Sequence, residues 1–76
     1  MNRIRRKQIA DLVEKLYVIQ SDLETIKDEE EEYRDNIPEN LQTSERYEKA
    51  DNACDCLDSA LYSLEELLGY LEEAAE

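Results

Sequence analysis

Residues Tyr33–Tyr47 read YRDNIPENLQTSERY and hold Pro38, the only proline of the chain. Proline fixes its own φ and drives the residue before it out of helical geometry, so a helix arriving here ends before Ile37. A long run with helical periodicity lies on each side. The stretch therefore reads as a turn that folds one helix back along another. Pro38–Gln42 is polar except for Leu41 and suits one turn of helix or 3₁₀, with Ile37 and Leu41 plugging the end of the seam. Thr43 or Ser44 is the N-cap of the second helix.

Upstream, Ile9, Leu12, Leu16, Ile19, Leu23, Ile26 and Tyr33 alternate steps of three and four, with one lapse at Glu30 inside the acidic run Asp28–Glu32. This is a heptad pattern with positions a at 9, 16, 23 and 30 and d at 12, 19, 26 and 33. Asn2 is the expected N-cap. Downstream, Tyr47, Cys54, Leu61, Leu68 and Ala75 fall at a, and Ala50, Leu57, Leu64 and Leu71 at d, without a break. The expectation is an all-α chain, an antiparallel two-helix hairpin with coiled-coil packing in one domain, 1–76. Helix 1 covers about 3–36, the turn 37–43 and helix 2 about 44–75.

Folding back at Asn40 sets Ile26 against Cys54, Leu23 against Leu57, Leu16 against Leu64 and Ile9 against Leu71, so that nearly every layer is apolar. Tyr33 and Tyr47 close the turn end. Lys27 and Arg34 then face Asp51 and Asp58. The basic cluster Arg3–Lys7 comes alongside Glu72, Glu73 and Glu76, which offsets two charge placements that oppose the helix dipoles.

A single seam is little core for 76 residues, and domains of this size usually need a staple or a partner. Helix 2 has further apolar surface at Ala53, Ala60, Leu67 and Ala74, with Cys56 and Tyr70 beside it, and Val18 of helix 1 is placed on the same side. A homodimer through this face, forming a four-helix bundle, is expected. The competing expectation is a monomer with scattered surface hydrophobes.

The net charge is −12, and its distribution is uneven. From Gln8 onward five cations stand against 21 carboxylates, a net of −16. Such a body repels nucleic acid and anionic membrane and attracts basic protein surfaces. Along a rod of roughly 50 Å its carboxylates reach about one per 2.4 Å, against about one charge per 1.7 Å of duplex DNA. That density suits a nucleic-acid mimic, and it equally suits a merely solubilising surface.

Enzyme chemistry is poorly served. The chain has no histidine, hence no Ser–His or Cys–His pair. Cys54 and Cys56 diverge on a helix and read as free structural thiols, not as metal ligands. The acidic run lacks the spacing and glycine of a calcium loop, and Gly69 lies inside helix 2, far from any phosphate loop. No enzyme activity, cofactor or metal is expected. Asp11, Glu14 and Lys15 interrupt the segment after the basic start, so no leader or spanning helix is expected, and the location is expected to be cytoplasmic. Tyr17, Tyr62 and Tyr70 fall outside the seam and read either as anchors for a partner or as isolated exposed tyrosines.

The segment DEEEEYRDNIPENLQTSERYEKADNACDCLDSALYSLEELLGYLEEA, residues 28–74, resembles a pattern recurring in small acidic proteins of Gram-positive bacteria, their phages and mobile elements. Asn36–Tyr47 is its most specific part, and the first 27 residues are generic. The resemblance implies a helical hairpin of unassigned activity, and it favours a small inhibitor of a host nucleic-acid or defence enzyme.

Taken together, the expectation is a non-catalytic protein–protein interaction module facing a basic partner. The residues expected at that contact are Glu24, Asp28, Glu31, Glu32 and Asp35 on helix 1, with Asp55, Glu66 and Glu73 on helix 2. Direct nucleic-acid or membrane binding is not expected. The alternative is a structural homo-oligomer that works through the apolar face of helix 2.

Overall fold

The computed structural model describes residues 1–76 as two long helices joined by a short turn. Helix α1 spans Arg3–Asp35, a 3₁₀ turn covers Glu39–Leu41, and helix α2 spans Glu45–Ala74. The caps follow the local chemistry. The Asn2 side chain accepts from the Arg5 amide at 2.8 Å, and Ser44, not Thr43, caps α2 by accepting from the Tyr47 amide at 3.3 Å. At the turn, the Ile37 amide donates to the Arg34 carbonyl and the Leu41 amide to the Pro38 carbonyl. Ile37 is buried at the end of the seam, whereas Leu41 is 42% exposed and plugs nothing.

The α2 half of the seam is as the heptads predict. Ala50, Cys54, Leu64 and Leu68 are buried, and Tyr47, Leu57, Leu61, Leu71 and Ala75 are half-buried. The α1 half differs. Leu12, Ile19, Ile26 and Tyr33, expected in the seam, are 46–51% exposed. Their successors Val13, Gln20, Lys27 and Arg34 are partly covered, together with Ile9, Leu16, Leu23, Glu30 and Glu31. Helix α1 is thus rolled about its axis. It keeps column a and exchanges column d for the column one residue later, 100° further round.

The alignment has also slipped. Arg34 meets Asp51, which follows Ala50, and Lys27 meets Asp58, which follows Leu57. Both pairs keep one register, seven residues back on α1 for seven forward on α2. The charged groups acting on Cys54 are Arg34, Glu31, Glu30 and Asp51, at the place the sequence gives to Ile26. These neighbours set α1 about one helical turn off the alignment centred on Asn40, with Leu16 near the height of Leu68 instead of Leu64. The first turns of α1 then overhang the end of α2. Accordingly Arg3, Arg5 and Arg6 form no ion pair, and the only partner of Lys7 is Asp11 on its own helix. The predicted pairing of the basic cluster with Glu72, Glu73 and Glu76 is absent for that reason.

Gly69 has no heavy atom within 4 Å of the place a Cβ would occupy, so it marks no close approach. It is an α2 position tolerated at about 1 kcal/mol relative to alanine.

Only five residues are buried: Ile37, Ala50, Cys54, Leu64 and Leu68. The Cα extents are 59 × 15 × 13 Å and the radius of gyration is 17.3 Å, against about 11 Å for a globular chain of this length. The accessible surface is 5893 Å², where a globular monomer of this mass exposes about 4,800 Å². The hairpin leaves about 1,100 Å² more surface in water than such a fold would.

Candidate functional site

Two flanks of the hairpin have opposite character. The first is a polar latch. Asp51, Asp58 and Glu72 stand one residue after the α2 core positions Ala50, Leu57 and Leu71. Arg34 reaches Asp51 at 3.0 Å and Asp35 at 3.1 Å. Lys27 bridges Asp58 on α2 and Glu31 on its own helix. Tyr17 donates its hydroxyl to Glu72 near the open end, so this tyrosine belongs to the latch. Beside that carboxylate the Tyr17 hydroxyl is held above its ordinary pKa. Lys27 is held up by its hydrogen bond to Asp58, and Arg34 by its bonds to Asp35 and then Asp51, so both stay charged. Their long stems cover the seam while their charged ends reach the carboxylates, which is how cations replace leucine-sized groups along α1.

The opposite flank is apolar. On α2, Ala53, Ala60, Leu67 and Ala74 precede the core residues Cys54, Leu61, Leu68 and Ala75 by one position, which places them 100° away from that row and on the side remote from the latch. On α1, Leu12, Ile19, Ile26 and Tyr33 precede Val13, Gln20, Lys27 and Arg34 in the same sense. The roll of α1 therefore brings four large apolar side chains onto the flank where the sequence placed a dimer face. Leu67 is 44% exposed, Ala53 is half-buried, and Ala60 and Ala74 are exposed. Cys56 and Tyr70 stand at its α2 rim, both exposed. Val18, 61% exposed, lies half a turn from the α1 seam, on the back of the hairpin and off this flank.

The apolar flank carries the larger uncovered energy. Burying a leucine or isoleucine fully is worth about 1.5–3 kcal/mol, so the uncovered half of each α1 residue represents roughly 1 kcal/mol.

The predicted carboxylates do not gather in one patch. Glu24 and Glu31 border the latch on α1, with Asp28 and Asp35 further round, and Asp55 borders it on α2. Glu32, Glu66 and Glu73 lie on the backs of their helices. All but Glu31 are exposed. Glu31 sits 3.7 Å from Lys27 and Asp35 is held by Arg34. Negative charge wraps three sides of the rod, and only Asp22 and Glu29 stand in the columns of the apolar flank. Two shallow depressions lie along α1, one around Ile4 and one around Val18, and both are open grooves on the helix surface without an enclosed cavity.

The cysteines differ in environment. Cys56 is exposed, and Cys54 is buried, which pushes its thiol pKa up despite the opposing effect of Arg34. A thiol-specific reagent at about pH 8 is expected to modify Cys56 and to spare Cys54 until the hairpin unfolds. The same shift has a sign for stability. Folding holds the Cys54 proton more tightly, so this contribution is complete below the ordinary thiol range and is lost as pH rises through the raised value. Comparing urea midpoints of the wild type and Cys54→Ala from neutral to alkaline pH checks this; the extra alkaline loss should vanish in the variant.

No helix is long and apolar enough to cross a membrane. No protein-family model, curated protein or solved structure matches this chain.

Proposed function

We propose that this chain is a non-catalytic interaction protein: a hairpin that associates through its apolar flank into a homodimeric four-helix bundle and presents carboxylates to a basic protein. One observation carries the reading. A chain of net charge −12 keeps one flank apolar from Leu12 to Tyr33 on α1 and from Ala53 to Ala74 on α2. Carboxylates on three sides and apolar rows with few carboxylates on the fourth are the arrangement of a protein with two working surfaces, one for assembly and one for an oppositely charged partner.

The basic partner that fits best is a nucleic-acid-binding face, which the carboxylate density imitates. An inhibitor of the phage or mobile-element kind, acting on a host defence or nucleic-acid enzyme, is the form of this reading that the sequence resemblance favours. The competing reading, a purely structural assembly protein, is supported by the same apolar flank and gives the carboxylates only a solubilising part.

Charge reversal separates the two. Replacing Glu31, Glu32 and Asp35 with Lys changes the local charge by six without touching a buried residue. Partners captured by the immobilised wild-type protein from its host are expected to bind the variant at least tenfold more weakly, and raising salt from about 50 to 500 mM should release them. Capture that survives both the reversal and the salt would remove the mimic and leave the assembly reading. Self-association should be unchanged in the variant, because none of the three residues faces the apolar flank.

A further inference from the structure

The apolar flank has an internal order of large and small side chains. Its α1 row is large: Leu12, Ile19, Ile26 and Tyr33. Its α2 row is mostly small: Ala53, Ala60 and Ala74, with Leu67 the exception. Both rows advance by seven residues in opposite chain directions. The register set by Lys27–Asp58 and Arg34–Asp51 puts Ile26 within about two residues of the height of Ala60, and Tyr33 equally near Ala53. By the same step Leu12 stands near Ala74 and Ile19 near Leu67.

We infer that a second copy closes this flank across a two-fold axis running along the hairpin, so that α1 of each subunit lies antiparallel on α2 of its partner. This rests on the assembly half of the function proposed above and adds the geometry of the pair. A two-fold axis in that direction preserves height. It therefore carries the large row of one copy onto the small row of the other with no sliding: Leu12, Ile26 and Tyr33 each meet an alanine, and Ile19 meets Leu67. The alternative two-fold axis, across the hairpin, lays α1 on α1 and α2 on α2, large on large and small on small, which packs one half too thick and the other too thin.

Charge points the same way. Four seven-residue columns form the flank, beginning at Arg5 and Gln8 on α1 and at Arg46 and Lys49 on α2. They hold two of the 21 carboxylates, Asp22 and Glu29, and four of the nine cations, Arg5, Lys15, Arg46 and Lys49. Two bodies of net charge −12 can thus meet here without bringing their carboxylates together. In the inferred arrangement Asp22 and Glu29 come to the heights of Ser63 and Cys56 of the partner subunit, and no acidic side chain faces another.

The area is of the right order. The four columns run for 28 residues on each helix, about 42 Å, and with a width of 15 Å project on the order of 600 Å², where a stable interface buries about 800 Å² of accessible surface on each partner.

The test measures mass and a distance. Asn40→Cys, combined with Cys56→Ser, carries a spin label on the exposed turn, while the buried Cys54 remains unlabelled. Sedimentation equilibrium gives the mass, and dipolar spectroscopy gives the separation of the two labels. A dimer with labels within about 30 Å is the expected result, because the inferred axis sets the two turns side by side. A dimer with labels about 50 Å apart, the length of a helix here, overturns the inferred axis and leaves assembly standing. A folded monomer at every concentration, with helical circular dichroism retained, overturns both.

Discussion

Leu68→Ala is expected to remove about 2–5 kcal/mol of stability, enough to unfold much of the protein at ordinary temperature. Leu68 is 3% exposed in α2, near the height of Leu16, and truncating a buried leucine costs both its transfer energy and the cavity left behind. A 76-residue domain has roughly 4–11 kcal/mol in total, and only five buried residues supply this core. Few neighbours can collapse into the gap. The neighbouring Leu67→Ala is the control, since Leu67 is 44% exposed and lies on the apolar flank. In dilute solution it should cost well under half as much. Urea unfolding followed by circular dichroism, at low micromolar protein, reads both. Equal losses at the two positions would mean that the seam and the flank are wrongly assigned.

Apparent stability should also rise with protein concentration. When a second copy covers the flank, association adds to folding, and a partner at one hundred times its dissociation constant stabilises the fold by about 2.7 kcal/mol. Thermal melts across a hundredfold range of concentration are expected to shift upward for the wild type. They should stand still for a chain carrying Ile19→Glu and Ile26→Glu, which places carboxylates on the one flank that nearly lacks them. Both positions are about half exposed in the single hairpin, so the variant retains its seam and its helicity. A wild-type melt independent of concentration would count against the assembly surface.

Local chemistry makes the two helices, their caps and the face of α2 readable in the chain. Asn2 and Ser44 offer side-chain oxygens where amides lack partners, Pro38 forbids continuation, and Tyr47–Ala75 repeats without a competing stripe. Helix α1 is different because column a is shared by two stripes. Ile9, Leu16 and Leu23 pair equally well with Leu12, Ile19 and Ile26 on one side or with Val13, Gln20 and Lys27 on the other. Hydrophobicity alone selects the first, and the folded chain takes the second. That choice is visible only in groups distant in sequence: Arg34 and Lys27 lie over the seam against Asp51 and Asp58, beside the small residues Ala50 and Cys54. The same contacts fix the one-turn slip that carries Arg3–Lys7 past the end of α2 and leaves the cluster without its predicted partners.

The candidate surface divides along the same line. Ala53, Ala60, Leu67 and Ala74 could be placed from the period of α2, because a helix whose core row is fixed has its other rows fixed with it. Leu12, Ile19, Ile26 and Tyr33 could not be placed on that surface, since reaching it requires the roll of α1. The amino-acid order by itself determined two amphipathic helices, where they start and stop, and that they fold back on each other. Only the packing of one helix on the other decided which side of α1 faces inward, because that energy belongs to pairs of residues far apart in the chain and has no periodic trace in either one alone.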